Sequence, residues 1–127
     1  GNLDLAVVVA GEDSIEIYKG DGLGNFKMLS RHETGVNPHG LTSGDFDKDG
    51  NLDLAVSNRT SGGITIFMGK GNGDFENTSS IYTGNDGIAI ANGDFDGDGT
   101  IDLAMVSASS HSLLFYRGDG KGGFNPW

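Results

Sequence analysis

A repeat with a period of 49 residues is the feature that most limits the folds open to this chain. Three segments align without insertion: GNLDLAV from Gly1, GNLDLAV from Gly50 and GTIDLAM from Gly99. A period of about 40–50 residues is typical of propellers, solenoids and arrays of helical pairs. The period alone therefore leaves these architectures open, and the pattern inside each unit has to decide between them.

Each unit has the pattern of several short strands. Residues 51–56 alternate, with Leu52, Leu54 and Val56 on one face, as expected for a half-buried strand. No window of about ten residues shows helical periodicity. Four strands per unit correspond to one blade of an all-β propeller, and the 23 glycines fit the tight turns between them. The remaining predicted elements are a second strand (64–68), a hairpin turn (69–75), a third strand ending near Tyr82 and a short fourth strand (88–91).

The repeat predicts about two and a half blades of four antiparallel strands. Residues 1–43 are expected to form a blade that lacks its first strand and most of its acidic loop. Residues 44–92 and 93–127 each contain a complete acidic loop, and the latter unit is truncated in its last strand. Closed propellers typically have about 4–8 blades. We therefore expect a piece of a longer propeller, with assembly of several copies as the alternative.

The acidic loops 45–53 and 94–102 both have the form DxDxDGxxD. Alternate residues of an extended loop point to one side, and the glycine at position six allows a turn that brings the next carbonyl inward. Only oxygen ligands are offered, and Ca²⁺ accepts about 6–8 of them. The predicted calcium ligands are Asp45, Asp47, Asp49, Asn51 and Asp53 in the first loop, Asp94, Asp96, Asp98, Thr100 and Asp102 in the second, and Asn2 and Asp4 in an incomplete third site.

Two other interpretations of these loops are less favoured. An EF-hand needs flanking helices and an acidic twelfth residue, and that position holds Val56 or Met105. A plain Asp-Gly turn in solvent would explain one such loop. It does not explain two loops with every ligand position repeated at an offset of 49.

Composition excludes several classes of partner and site. A formal net charge of -10 disfavours binding to nucleic acid and to anionic lipid. No run approaches the roughly 18 apolar residues of a membrane span, so membrane insertion is not expected. Without cysteine there are no thiolate metal sites. The three histidines, His32, His39 and His111, fall at non-equivalent repeat positions with no nucleophile at a recognisable spacing, so no enzyme active site is predicted.

The loop phenylalanines Phe46 and Phe95 alternate with the aspartates and are expected to pack between blades. Phe26, Phe75 and Phe124, which follow the glycine-rich hairpins, are predicted to lie in the core. Sequons begin at Asn58 and Asn77 and would matter only in a secreted eukaryotic protein.

The segments GDFDKDGNLDLAV (44–56) and GDFDGDGTIDLAM (93–105), each followed by GxGxGxF, resemble FG-GAP/VCBS repeats. Similar repeats form the calcium-binding blades of integrin α-subunit propellers and occur in many secreted bacterial proteins. The literal Phe-Gly and Gly-Ala-Pro signatures of integrins are absent, which places the chain nearer the bacterial type.

The resemblance implies a seven- or eight-bladed propeller with Ca²⁺ in the loops that join the first and second strands of a blade. It also implies an extracellular or cell-surface location and a non-catalytic role in adhesion or in binding a protein or glycan ligand. Two alternatives remain: an accessory propeller of a secreted polysaccharide-active enzyme, and a self-assembling structural repeat unit.

Overall fold

The computed structural model describes residues 1–84 and 86–127, without the side chain of Thr78. The only helical element among these residues is a single 3-10 turn at Ala10–Glu12. The strands, in chain order, are β1 Leu5–Val9, β2 Ser14–Gly20, β3 Phe26–Glu33, β4 Pro38–Gly44, β5 Asp53–Asn58, β6 Gly63–Gly69, β7 Phe75–Tyr82, β8 Gly87–Gly93, β9 Asp102–Ser107, β10 Ser112–Gly118 and β11 Phe124–Pro126.

The strands form three antiparallel sheets. Blade 1 has the order β1-β2-β3, blade 2 the order β4-β5-β6-β7, and blade 3 the order β8-β9-β10-β11. Consecutive strands are neighbours throughout, as in the up-and-down sheets of a propeller. The predicted all-β fold of propeller blades is confirmed. None of the helical residues that the structure describes forms a segment long and apolar enough to cross a membrane.

The sheets and the sequence repeats are offset by one strand. Strand β8 is the fourth strand of the repeat 44–92, yet it pairs with β9 and so belongs to blade 3. In the same way β4 pairs with β5, with Gly44 opposite Asp53. Each acidic loop therefore joins the first and second strands of one sheet.

Blade 2 is buried on both faces because it lies between the other two blades. All six residues of β5 are buried, including Ala55 and Ser57, which the alternating pattern placed on the solvent side. Leu52 was expected on the buried face and is instead 64% exposed, because it precedes β5 and belongs to the acidic loop. A strand inside a stack of sheets needs apolar or satisfied polar groups on both faces.

Two apolar clusters form the core, one at each junction between blades. The junction of blades 1 and 2 contains Ile15, Ile17, Leu54, Val56 and Phe67. The junction of blades 2 and 3 contains Phe46, Ala55, Ile64, Ile66, Leu103, Met105, Tyr116 and Phe124.

The first strands of blades 2 and 3 approach each other closely. A Cβ on Gly40 would lie 2.9 Å from the backbone nitrogen of Ile90, so no larger residue fits there. The Thr42 hydroxyl donates to Oδ1 of Asn92 at 2.8 Å, and Nδ2 of Asn92 donates to the carbonyl of Ser43 at 2.9 Å. Small residues and one polar bridge thus replace bulky packing where the strands crowd together.

The aromatic predictions divide according to position in the stack. Phe46 is 2% exposed and meets Phe124 edge-on, with ring centroids 5.3 Å apart, so both are core residues as predicted. Phe75 is partly buried against the first junction. Phe95, at 45% exposed, and Phe26, at 44%, contradict the prediction, because they lie on the outward faces of blades 3 and 1.

Candidate metal centre

The first acidic loop is shaped by hydrogen bonds from its own backbone. The carboxylate of Asp45 accepts from the backbone N–H groups of Asp49 and Gly50, each at 3.0 Å. Asp49 accepts from the N–H of Asn51 at 2.7 Å and from its side-chain amide at 2.8 Å. These bonds stabilise the ionised form of Asp49 and lower the pKa of its carboxyl group. The loop is therefore folded tightly around its carboxylates.

The second acidic loop repeats this arrangement. Asp94 accepts from the N–H of Asp98 at 3.0 Å and from that of Gly99 at 2.9 Å. Asp98 accepts from the N–H of Thr100 at 2.7 Å. The glycines at position six, Gly50 and Gly99, have φ of 90° and 82°. This left-handed conformation is one that glycine adopts without strain, so the turn predicted from the motif is present.

The ninth-position aspartates fix each loop to its sheet. Oδ2 of Asp53 accepts from the N–H of Phe46 at 2.7 Å, and Oδ1 accepts from the N–H of Gly69 at 2.9 Å. Asp102 makes the same pair of bonds, at 3.0 Å to Phe95 and 2.9 Å to Gly118. Burial raises the pKa of the Asp53 carboxyl, and its two backbone hydrogen bonds oppose that shift.

Carboxylates converge in both loops. One oxygen from each of Asp45, Asp47 and Asp49 lies within 4.8 Å of the others, and Asp94, Asp96 and Asp102 form an equivalent group. Two ligands of one Ca²⁺ can be separated by no more than twice the ion–oxygen distance, or about 5 Å. The spacing of both groups therefore fits one shared calcium ion, and the all-oxygen ligand set suits a hard cation.

The remaining predicted ligands take other positions in the two loops. Asp53 and Asp98 lie outside the close carboxylate groups, and both are held by backbone N–H groups. Asn51 and Thr100 occupy position seven, where the motif would use a backbone carbonyl. The hydroxyl of Thr100 accepts from Nζ of Lys48 at 3.4 Å, so this side chain contacts the neighbouring blade.

Residues 1–4 keep the geometry of the end of an acidic loop. Oδ1 of Asp4 accepts from the N–H of Gly20 at 2.9 Å, which matches the bond from Gly69 to Asp53. Nδ2 of Asn2 donates to the carbonyl of Gly20 at 3.4 Å. The incomplete third site is therefore represented by its two predicted residues, Asn2 and Asp4, and by the glycine that they contact.

Two features of the site carry little signal in the motif itself. A Cβ on Gly69 or Gly118 would lie 2.1 Å from the carbonyl oxygen of Leu52 or Ile101, so both positions require glycine. Their recurrence at an offset of 49 could have identified them. Arg117 is the second feature: its Nε lies 2.8 Å from Oδ2 of Asp96, whereas the equivalent position in blade 2 is Met68.

The histidines and sequons lie outside the carboxylate groups. His32 contacts the rings of Phe67 and Phe75, and His39 and His111 are exposed. Asn58 is 2% exposed and donates to the hydroxyl of Thr65 at 2.9 Å, so the folded chain offers no glycan attachment there. Asn77 is exposed, but the Thr78 side chain of its sequon lies outside the described part of the chain.

Comparison with known proteins agrees with the repeat architecture. The model of the FG-GAP-like repeat matches residues 1–56 and again residues 45–105. Each match contains strands and loop residues of the kind described above. No curated protein matches the chain. FG-GAP repeats are β-propeller blades that typically serve as structural or binding modules. Since the two matches together span more than half of its length, the chain belongs to the FG-GAP-like repeat family.

Proposed function

We propose that this chain is a calcium-binding, non-catalytic module of an extracellular β-propeller that binds a protein or glycan ligand, as in adhesion. The observation that supports calcium binding is the convergence of three carboxylates within 4.8 Å in each of two equivalent loops. Without a cation, carboxylates this close repel one another. A bound Ca²⁺ removes that cost and ties the first strand of a blade to the second.

The role of the ion in this proposal is structural. Extracellular calcium modules have dissociation constants of about 10⁻⁴–10⁻³ M. At about 1 mM Ca²⁺ each such site adds roughly 0.4–1.4 kcal/mol to the free energy of unfolding. Two sites would therefore stabilise the folded chain measurably, and only in a compartment rich in calcium. This dependence is the reason for placing the module outside the cytoplasm.

Isothermal titration calorimetry tests the calcium sites directly. We expect two Ca²⁺ ions per chain, one ion after Asp45→Asn combined with Asp47→Asn, and one after Asp94→Asn combined with Asp96→Asn. Asp21→Asn is the matched control, because Asp21 also caps a glycine-containing turn, at 2.7 Å from the N–H of Leu23, outside both carboxylate groups. The control should keep both ions. Absence of binding in the unmodified chain would contradict the proposal.

The ligand-binding half of the proposal needs a separate measurement. The chain, loaded with Ca²⁺, is applied to an array of glycans and to immobilised extracellular matrix proteins, with and without EDTA. Retention of a defined glycan or protein without its chemical conversion supports a binding module. Turnover of a polysaccharide by the purified chain would overturn the non-catalytic assignment.

A further inference from the structure

We infer that blade 1 is a docking site for an extended peptide segment of a defined pattern: a β-strand ending in Gly-Asp-Phe-Asp. The segment would pair with the free edge of β1 and place its phenylalanine in a groove between blades 1 and 2. Residues 38–47 of this chain have the required pattern. This inference does not depend on calcium and goes beyond the function proposed above.

The first observation is an unpaired strand edge. Blades 2 and 3 have four strands, and β4 and β8 cover the edges of β5 and β9. In blade 1 the equivalent strand β1 pairs only with β2 among the described residues. A free edge of this kind presents unpaired N–H and C=O groups that an added strand can satisfy.

The second observation is a groove of about 490 Å³ beside that edge. Its apolar lining matches the surroundings of Phe46 at the other junction, because the residues are equivalent at an offset of 49. Phe46 packs in one cluster with Ala55, Ile66, Leu103 and Phe124. The corresponding groove residues are Ala6, Ile17, Leu54 and Phe75. The groove therefore has the lining of a phenylalanine site.

The third observation is a free acceptor at the position where the backbone of that phenylalanine would lie. In blades 2 and 3 the inner aspartate uses Oδ1 for the hairpin glycine and Oδ2 for the phenylalanine N–H, at 2.7 Å from Phe46 and 3.0 Å from Phe95. Asp4 uses Oδ1 for Gly20 at 2.9 Å. Oδ2 of Asp4 accepts no hydrogen bond from the described residues. One polar contact is thus preformed, and it selects a backbone N–H.

These three features select the same occupant and the same register. A strand on the edge of β1, followed by Asp-Phe-Asp, would bring the phenylalanine N–H to Asp4 and the ring to Phe75. In the equivalent place the rings of Phe46 and Phe124 meet edge-on at 5.3 Å. An apolar peptide without the Gly-Asp-Phe-Asp turn would satisfy the groove but not Asp4.

The test uses a fluorescently labelled peptide with the sequence of residues 36–50 and the full chain. Fluorescence anisotropy in EDTA should show saturable binding with one peptide per chain. Phe46→Ala in the peptide should weaken binding by about tenfold or more, because the ring supplies the buried area. Asp4→Ala in the chain should weaken it by about fivefold, the loss expected for one hydrogen bond to a charged group. A peptide of scrambled sequence is the control.

Hydrogen exchange locates the peptide. Amides of β1 should become protected when the peptide binds, while those of β10 and β11 stay unchanged. Absence of saturable binding up to about 1 mM peptide would overturn the inference, as would equal binding of the Phe46→Ala peptide. A chain that self-associates to a multiple of 13.2 kDa and resists the peptide would also overturn it, because a second copy would then be the occupant.

Discussion

The two acidic loops share their internal geometry and differ in what surrounds them. In the first loop, blade 3 covers the side of the loop that carries Phe46, and the N–H of Gly122 donates to the Phe46 carbonyl at 3.2 Å. In the second loop, Phe95 lies on the outward face of blade 3 and contacts the ring of Phe115, with centroids 5.8 Å apart.

The comparison separates what a nine-residue loop determines by itself from what a neighbouring blade adds. Turn glycines, backbone-to-carboxylate hydrogen bonds and the inner aspartate are the same in both loops. Burial of the loop phenylalanine is different. The ligand geometry is therefore local, whereas the contribution of the loop to the core depends on the stack of blades.

The largest effect expected from this difference is on the loop phenylalanines. Phe46→Ala should lower the free energy of unfolding by about 3–5 kcal/mol, because it empties a packed site between two blades. Phe95→Ala should cost about 1–2 kcal/mol, since the ring is half exposed. Urea unfolding followed by circular dichroism measures both.

Phe46→Leu keeps this comparison usable if the alanine variant does not fold. Its cost should be about 1–2 kcal/mol, because most of the volume is retained. Equal losses for Phe46→Ala and Phe95→Ala would contradict the assigned difference in burial.

A second prediction concerns what the loops share. Gly69→Ala and Gly118→Ala should each destabilise the chain by about 1–3 kcal/mol, because the new Cβ would collide with a loop carbonyl oxygen in both blades. Gly11→Ala, where no atom lies within 4 Å of the added carbon, should change stability by less than about 0.5 kcal/mol. Thermal unfolding of the three variants provides the measurement. A large cost at only one of the two hairpin glycines would show that the loops are not equivalent.

Arg117 predicts a difference in calcium affinity between the loops. Its ion pair with Asp96 is half exposed and worth about 0.2–1 kcal/mol, and Ca²⁺ must compete with it. Arg117→Met, which copies Met68 of blade 2, should therefore strengthen binding at the second loop by up to about fivefold. Calorimetry on a background of Asp45→Asn and Asp47→Asn isolates that loop.

Arg31→Met is the matched control for this measurement. Arg31 pairs with Glu12 and Glu16 on blade 1, away from the acidic loops, so the affinity should not change. If Arg117→Met leaves the affinity unchanged as well, the arginine does not compete with the ion.

The smallest effect is a pH dependence outside both loops. Asp86 accepts from the hydroxyl of Ser109, from its N–H at 2.7 Å and from the Ser107 hydroxyl at 3.1 Å, which lowers the pKa of Asp86 to about 2. A lowered acidic pKa stabilises the fold above the ordinary value of 3.8, and this stability is lost as the pH falls toward 2. Asp86→Asn should reduce the difference in melting temperature between pH 5 and pH 2, measured in EDTA. An unchanged difference would assign the acid sensitivity to the loops.

The sequence predicted the strands and the loop motif because both repeat locally. Alternation around Leu54 and Val56 and the turn at Gly50 depend on a few neighbouring residues. Exposure of Phe95 and burial of Ala55 depend on whether another sheet lies against that face, and a pattern of period two cannot reveal this. The pairing of Arg117 with Asp96 was missed because the two residues come from different strands and only one repeat carries the arginine.

The calcium account is tested most directly by thermal unfolding in EDTA, in about 2 mM Mg²⁺ and in about 2 mM Ca²⁺. With two sites of extracellular affinity, Ca²⁺ should raise the melting temperature by about 5–13 °C over EDTA. Mg²⁺ should change it little, because its small octahedral shell fits a flexible loop poorly. Identical melting curves in all three solutions would contradict calcium binding and leave the aspartate groups as solvated turns, with the propeller blades unaffected.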